Sequence, residues 1–131
     1  MPMPVILVVD DNPQMAKLMQ DMVQLAGYET EVAFSGLEGL DKARDGMPDL
    51  ILVDLMMPEI DGWELYHRLR EFTTIPIIFV TAYDTPQNEA KAIALGAEGF
   101  IGKDLTPMQL VQHIQLVLEA NDHPNKNEKL H

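Results

Sequence analysis

Asp10 and Asp11, Asp54, Thr81 and Lys103 stand at matched places in the chain, each just after a short apolar run or one residue beyond it. Singly, each has a plain structural reading. An Asp ahead of a helix serves as a cap or as a partner of the helix dipole. Thr81 is an ordinary β-branched residue, and a lone lysine is a solvated charge. Asp54 differs, because it ends an apolar run without opening a helix. Brought to one rim, the three acids repel each other and cost stability unless a cation or a function requires them. Hard oxygen ligands, few in number, suit magnesium, which keeps several waters and takes one or two carboxylates plus phosphate oxygens. Magnesium beside a free carboxylate, a lysine and a hydroxyl makes a phosphoryl-transfer site. The carboxylate is the nucleophile, metal and ammonium offset charge on the moving group, and the hydroxyl bonds a phosphate oxygen. Asp54 fits the nucleophile, flanked by Asp10 and Asp11 as metal carboxylates and by Thr81 and Lys103.

The elements that would position these residues alternate strictly. Val5 to Val9 is apolar on both faces, as a strand covered on both sides must be, and Asn12 with Pro13 opens a helix. Met15, Leu18, Met19, Met22, Leu25 and Ala26 then recur at helical spacing up to Gly27. Tyr28 to Ala33 alternates like a half-exposed edge strand, and Gly36 to Arg44 places Leu37, Leu40 and Ala43 on one helical face. Leu50 to Val53 is again wholly apolar; breaker residues Pro58 and Gly62 follow, then a helix marked by Leu65, Leu69 and Phe72. Ile77 to Val80 and Glu98 to Ile101 read as the remaining strands. Between them a loosely anchored helix from Thr85-Pro86 to Gly96 turns Ala90, Ile93 and Ala94 inward. The last helix, from Thr106-Pro107, carries Leu110, Val111, Ile114, Val117 and Leu118 inward. This order predicts a doubly wound α/β fold: a five-stranded parallel sheet, helices on both faces, right-handed crossovers. Ligands in such sheets bind beyond the carboxyl ends of the strands, where the candidate residues fall.

Composition narrows the field. At 131 residues the chain makes one domain, read as 1–120 with a polar tail or linker over 121–131. With no Cys, disulfides, thiolate zinc sites and thiol catalysis are excluded. Nine Lys and Arg against 21 Asp and Glu give a net charge of -12, the wrong sign for binding nucleic acid directly. The apolar runs are far short of the roughly 20 residues that span a bilayer, and the start lacks a basic leader. The expectation is an acidic cytoplasmic domain with no membrane partner.

Four blocks in order, VILVVDD, LILVDLMMPEIDG, FVTA and GFIGK, give the chain a specific resemblance to the receiver domain of two-component response regulators, a flavodoxin-like fold, over about Val5 to Ala120. The resemblance implies that Asp54 takes a phosphoryl group from a phosphohistidine on a histidine kinase or phosphotransfer protein. Mg2+ would be held by Asp11 directly, by Asp10 chiefly through water, by Asp54, and by the backbone carbonyl of Met56. Thr81 would move toward the phosphoryl group, Lys103 would pair with it, and Phe100 would be the switch aromatic that turns inward. Such a domain is not an enzyme in the ordinary sense: it assists its own phosphorylation and dephosphorylation and signals to a downstream protein or a fused effector domain. One departure stands out. The family usually has proline directly after the lysine, and here that residue is Asp104, which reads as a solvated turn residue.

Three other readings share parts of this pattern. A flavin carrier of this fold needs a donor-rich loop after the first strand, where Asp10-Asp11 would repel phosphate. A haloacid-dehalogenase-type phosphatase needs an Asp-x-Asp nucleophile after strand one, and Asp10-Asp11-Asn12 lacks the third acid. The alternative that remains is a phosphorylation-independent, receiver-like interaction module. His67, His113, His123 and His131 have no ligand spacing, and Trp63 fits a packed or an exposed place equally.

Overall fold

In the computed structural model, which describes residues 3–121, strands and helices alternate from β1 to α5. They are β1 (Val5–Val9), α1 (Pro13–Leu25), β2 (Glu29–Ala33), α2 (Gly36–Gly46), β3 (Leu50–Val53), α3 (Gly62–Arg70), β4 (Ile77–Thr81), α4 (Pro86–Leu95), β5 (Gly99–Gly102) and α5 (Pro107–Asn121). The strands form one parallel sheet in the order β2-β1-β3-β4-β5. The chain leaves β1 toward β2 and returns on the other side as β3. The crevice of this doubly wound sheet therefore opens between the carboxyl ends of β1 and β3, where Asp10 and Asp54 stand.

Side-chain alternation splits the apolar residues between two cores. Leu7, Val9, Ile51, Val53, Ile77 and Phe79 face one way and pack under α2, α3 and α4. Ile6, Val8, Leu50, Leu52, Ile78 and Val80 face the other way, under α1 and α5. Because β1, β3 and β4 are covered on both sides, they read as unbroken apolar runs. The helix starts are set by side-chain caps: Asn12 accepts from Gln14 and Met15 amides, Ser35 from Glu38, Asp61 from Glu64 and Thr85 from Asn88. Gly96 ends α4 in the left-handed conformation that glycine adopts without strain.

Four local expectations need correction. The inward face of α4 is not Ala90, Ile93 and Ala94, all of which are exposed; Ala92 is its buried residue. Alanines at 90, 92 and 94 are interchangeable in pattern, and Ile93 gave the period a false phase. In α1, Leu18 and Leu25 face solvent while Ala16, Met19 and Val23 are buried. Phe72 lies beyond the end of α3 and is partly exposed beneath Arg44, whose guanidinium stands 4.5 Å from the ring centroid. Helix α5 includes Asn121, so the expected tail begins at 122 at the earliest; residues 122–131, with His123 and His131, lie outside the described residues.

Candidate functional site

Each candidate residue is delivered by a strand end. Asp10 continues β1 and donates its N–H to the Ala33 carbonyl at 3.1 Å; Asp54 continues β3 and donates to the Val9 carbonyl at 3.0 Å. The two carboxylates thus sit side by side at the crevice. Below Asp54 the chain turns back sharply, with the Gly62 N–H bonded to the Leu55 carbonyl at 2.7 Å. A Cβ on Gly62 would collide with the backbone of Asp54 and Leu55, so only glycine lets α3 start this close to Asp54. Lys103 follows β5 and its N–H is bonded to the Thr81 carbonyl at 3.0 Å, tying the ends of β4 and β5 together.

The ammonium of Lys103 reaches across the sheet end, 2.9 Å from Asp10 Oδ2 and 3.2 Å from Asp54 Oδ2. Asp10 is fully buried. Its Oδ1 accepts from the Asn12 N–H at 2.9 Å, while Oδ2 has no partner but the ammonium among the described residues. Burial pushes the Asp54 carboxyl above the ordinary carboxylate range, and the neighbouring Asp10 pushes the same way. Lys103 and the Met56 backbone N–H pull it partly back. Burial alone would lower the Lys103 ammonium, but Asp10 and Asp54 outweigh it and hold the group above lysine's ordinary value. Asp10, Asp11 and Asp54 each present an oxygen within 4.8 Å of the others. Three hard oxygen donors against one shared ammonium, one of them buried with no other partner, fit a divalent cation such as magnesium.

Thr81, the last residue of β4, is fully buried, and its Oγ1 accepts from the Tyr83 N–H at 3.0 Å. Registry pairs Phe79 with Phe100 and Thr81 with Gly102, so Thr81 and Phe100 share one sheet face, one pleat apart. Phe100 is half-buried, its ring 6.5 Å from that of Phe79. The Met56 side chain is exposed. His67 and His113 are exposed. Trp63 resolves as a half-buried core residue, 5.0 Å from Phe79 between ring centroids.

Asp84 is the neighbour that sequence reasoning missed. It stands in the β4–α4 loop, and its carboxylate and that of Asp104 close over Gly102, where a Cβ would meet both. With Ala82 and Lys103 they line a cleft of about 390 Å³ beside the carboxylate group. No periodicity could have paired two loop residues 20 positions apart. Among the described residues no peptide bond is cis, so the turn after Lys103 is made in the trans form.

The sheet has this parallel order, with acids at the β1 and β3 ends and a lysine reaching both, and residues 6–115 match the response regulator receiver domain family. The chain belongs to that family. It is 37% identical over 116 residues to the polar-differentiation response regulator DivK of Brucella ovis, covering 86% of this chain and 94% of that protein. Its fold matches the receiver domain of Francisella response regulator 1452 with a TM-score of 0.85 at 28% identity, over 91% of this chain and 99% of that one. It also matches the BeF3-activated receiver domain of Klebsiella pneumoniae RstA with a TM-score of 0.83 at 28% identity, over 87% and 97% of the two chains. These are signalling proteins rather than enzymes with a substrate pocket. No helix among the described residues is long and apolar enough to cross a membrane.

Proposed function

We propose that this domain is the phosphoacceptor of a cytoplasmic phosphorelay, with Asp54 as the acceptor and a histidine kinase or histidine phosphotransfer protein as the donor. The observation that carries the reading is the Asp54 carboxylate itself. It is nearly buried, 6% exposed, with one oxygen on the Lys103 ammonium and the other acids of the cluster beside it. A carboxylate oxygen of Asp54 attacks phosphorus, a P–O bond forms, and the P–N bond breaks with its electron pair going to a donor imidazole protonated on its other ring nitrogen, leaving an acyl phosphate and neutral histidine. Lys103 stays at hydrogen-bond range of the acceptor, so its positive charge is in place as the phosphoryl group arrives. Magnesium held by Asp10, Asp11, Asp54 and the Met56 carbonyl would supply charge neutralisation on the phosphoryl oxygens. The Thr81 hydroxyl, an acceptor from Tyr83 at rest, turns its own proton to a phosphoryl oxygen. Phe100 then moves toward the space Thr81 leaves, and the face formed by α4, β5 and α5 signals to a downstream protein or effector domain.

The test is mass spectrometry after incubation with acetyl phosphate and magnesium. The expected adduct is a single phosphate on Asp54, labile to hydroxylamine because an acyl phosphate is a mixed anhydride, and absent in Asp54→Asn. Label at wild-type level in that variant moves the acceptor elsewhere. No label in wild type from acetyl phosphate or a phosphohistidine donor leaves a receiver-like interaction module.

A further inference from the structure

α4 is the least anchored of the helices, with Ala92 its one fully buried residue, and at ten residues it is too short to be stable by itself. Besides its packing on β5 and the core through Ala92 and Leu95, it is held from α3. The Tyr66 hydroxyl, delivered from a buried position on α3, donates to the Leu95 carbonyl at 2.7 Å across 29 residues of sequence. Leu95 is in the last turn of α4, where carbonyls lack an intrahelical partner, so this bond satisfies a group the helix cannot. One turn earlier, the Lys91 ammonium lies 4.5 Å over the ring of Trp63, also on α3, and makes no salt bridge among the described residues. Both α3 aromatics rest on Phe79, at 5.0 Å and 5.9 Å between centroids, and the third ring against Phe79 is Phe100. Phe79 itself is fully buried and stands two residues before Thr81 on β4.

We propose that Tyr66 and Trp63 form a clamp that fixes α4 to α3 and sets how readily the domain leaves its resting state. The two ends of the clamp grip α4 at Leu95 and Lys91, and its base is the one side chain, Phe79, that also carries Phe100. A shift of Phe100 is therefore felt first by the rings that hold α4. The regulatory half of this inference rests on reading Asp54 as the phosphoacceptor; the mechanical half does not. Tyr66 and Trp63 are positioning residues that act through α4.

The full chain is examined as wild type, Tyr66→Phe and Lys91→Met. Amide exchange over residues 89–96 should accelerate roughly threefold to tenfold in Tyr66→Phe, the effect of one lost hydrogen bond. Lys91→Met should give roughly twofold to fivefold, the effect of one exposed cation–π contact. Exchange over 110–118 should not change in either variant. Unchanged exchange over 89–96 in Tyr66→Phe overturns the clamp. The second arm uses beryllofluoride with magnesium, its binding verified by fluorine resonance. A looser clamp raises the population of the competent state, so Tyr66→Phe should bind beryllofluoride tighter by a similar factor, which mere structural damage would not produce. The single Trp of the chain reports the other end: its emission should change on beryllofluoride binding in wild type and change less in Lys91→Met. Equal affinity together with a silent Trp63 overturns the regulatory half. If wild type fails to bind beryllofluoride, it is the reading of Asp54 that falls, and the exchange arm still decides the clamp.

Discussion

Helices α4 and α5 follow the two strands at the same edge of the sheet and are held by opposite means. α5 inserts Leu110, Ile114 and Leu118 into the core shared with α1, an attachment made of apolar area removed from water. α4 contributes Ala92 and the half-buried Leu95 to its core and adds a hydroxyl from Tyr66 and a ring from Trp63. The ends of β1 and β3 carry the crowded acids, whose charge is offset by one ammonium from the end of β5. Both faces of the sheet carry an apolar core, and within that frame α5 is fixed by apolar burial while α4 is weakly fixed. Under the proposed function, α4 can be moved by one phosphoryl group only if its alternatives lie within a few kcal/mol, which a polar, aromatic attachment favours.

The largest contrast should appear when one isoleucine is truncated on each helix. Ile114→Ala opens a cavity in a fully buried layer and should cost about 2–5 kcal/mol in denaturant unfolding. Ile93→Ala, at a side chain 68% exposed, should change stability by less than about 0.5 kcal/mol. Equal losses at the two positions would mean that α4 is packed as α5 is, and the division between the two sides would fail.

The same contrast explains what was legible in the sequence. Where an element is held by large apolar residues, periodicity names them: Leu110, Ile114 and Leu118 on α5 and the runs of β1, β3 and β4 are where the pattern puts them. Where an element is held otherwise, the pattern misleads, as it did in turning Ile93 inward. The partner of Leu95 is a hydroxyl on another helix, and the signal was a tyrosine in a helix otherwise read only for Leu65, Leu69 and Phe72. The candidate site was legible because its residues sit at strand ends, which the alternation of strand and helix locates to within a residue. The carboxylate of Asp84 was not, because a loop of exposed polar residues has no period to read.

The acids should behave as a cost carried for function. Burial and Asp10 raise the Asp54 carboxyl, so the folded state gives up this proton less readily than the unfolded state does. Between the unfolded carboxylate's ordinary value and the raised one, the folded state binds more protons, and stability falls as pH rises through that window. Asp54→Asn removes the cost at neutral pH without touching α5. The variant should be more stable than wild type in the absence of metal, by up to about 2 kcal/mol. The gain should shrink as pH falls through the same window. A variant less stable at neutral pH would show that the Lys103 pairing outweighs the repulsion.

Magnesium should act on one side of the comparison only. At ten times its dissociation constant a ligand bound to the folded state alone adds about 1.4 kcal/mol. That increment should survive in Ile114→Ala and be lost or sharply reduced in Asp11→Asn, read as melting temperature with and without the ion. An unchanged increment in Asp11→Asn removes Asp11 from the ligand set.

The smallest effect lies where the two sides meet. Asp84 belongs to the loop entering α4 and Asp104 to the loop entering α5, and their carboxylates close over Gly102 from opposite directions. Like charges this exposed are screened within a Debye length of about 10 Å at 0.1 M salt, so their repulsion is modest and dependent on ionic strength. Either Asp84→Asn or Asp104→Asn should therefore raise the melting temperature by roughly 1–2 °C at low salt, and by almost nothing at 0.5 M salt. The double variant is the sharper measurement. Once one charge is gone the other has nothing to repel, so the second substitution should add much less than the first. Two fully additive gains would mean that each acid is repelled by the cluster around Asp54 rather than by its opposite number. The loops of α4 and α5 would then be electrically independent, and no charge contact would join the weakly held side of the domain to the firmly held one.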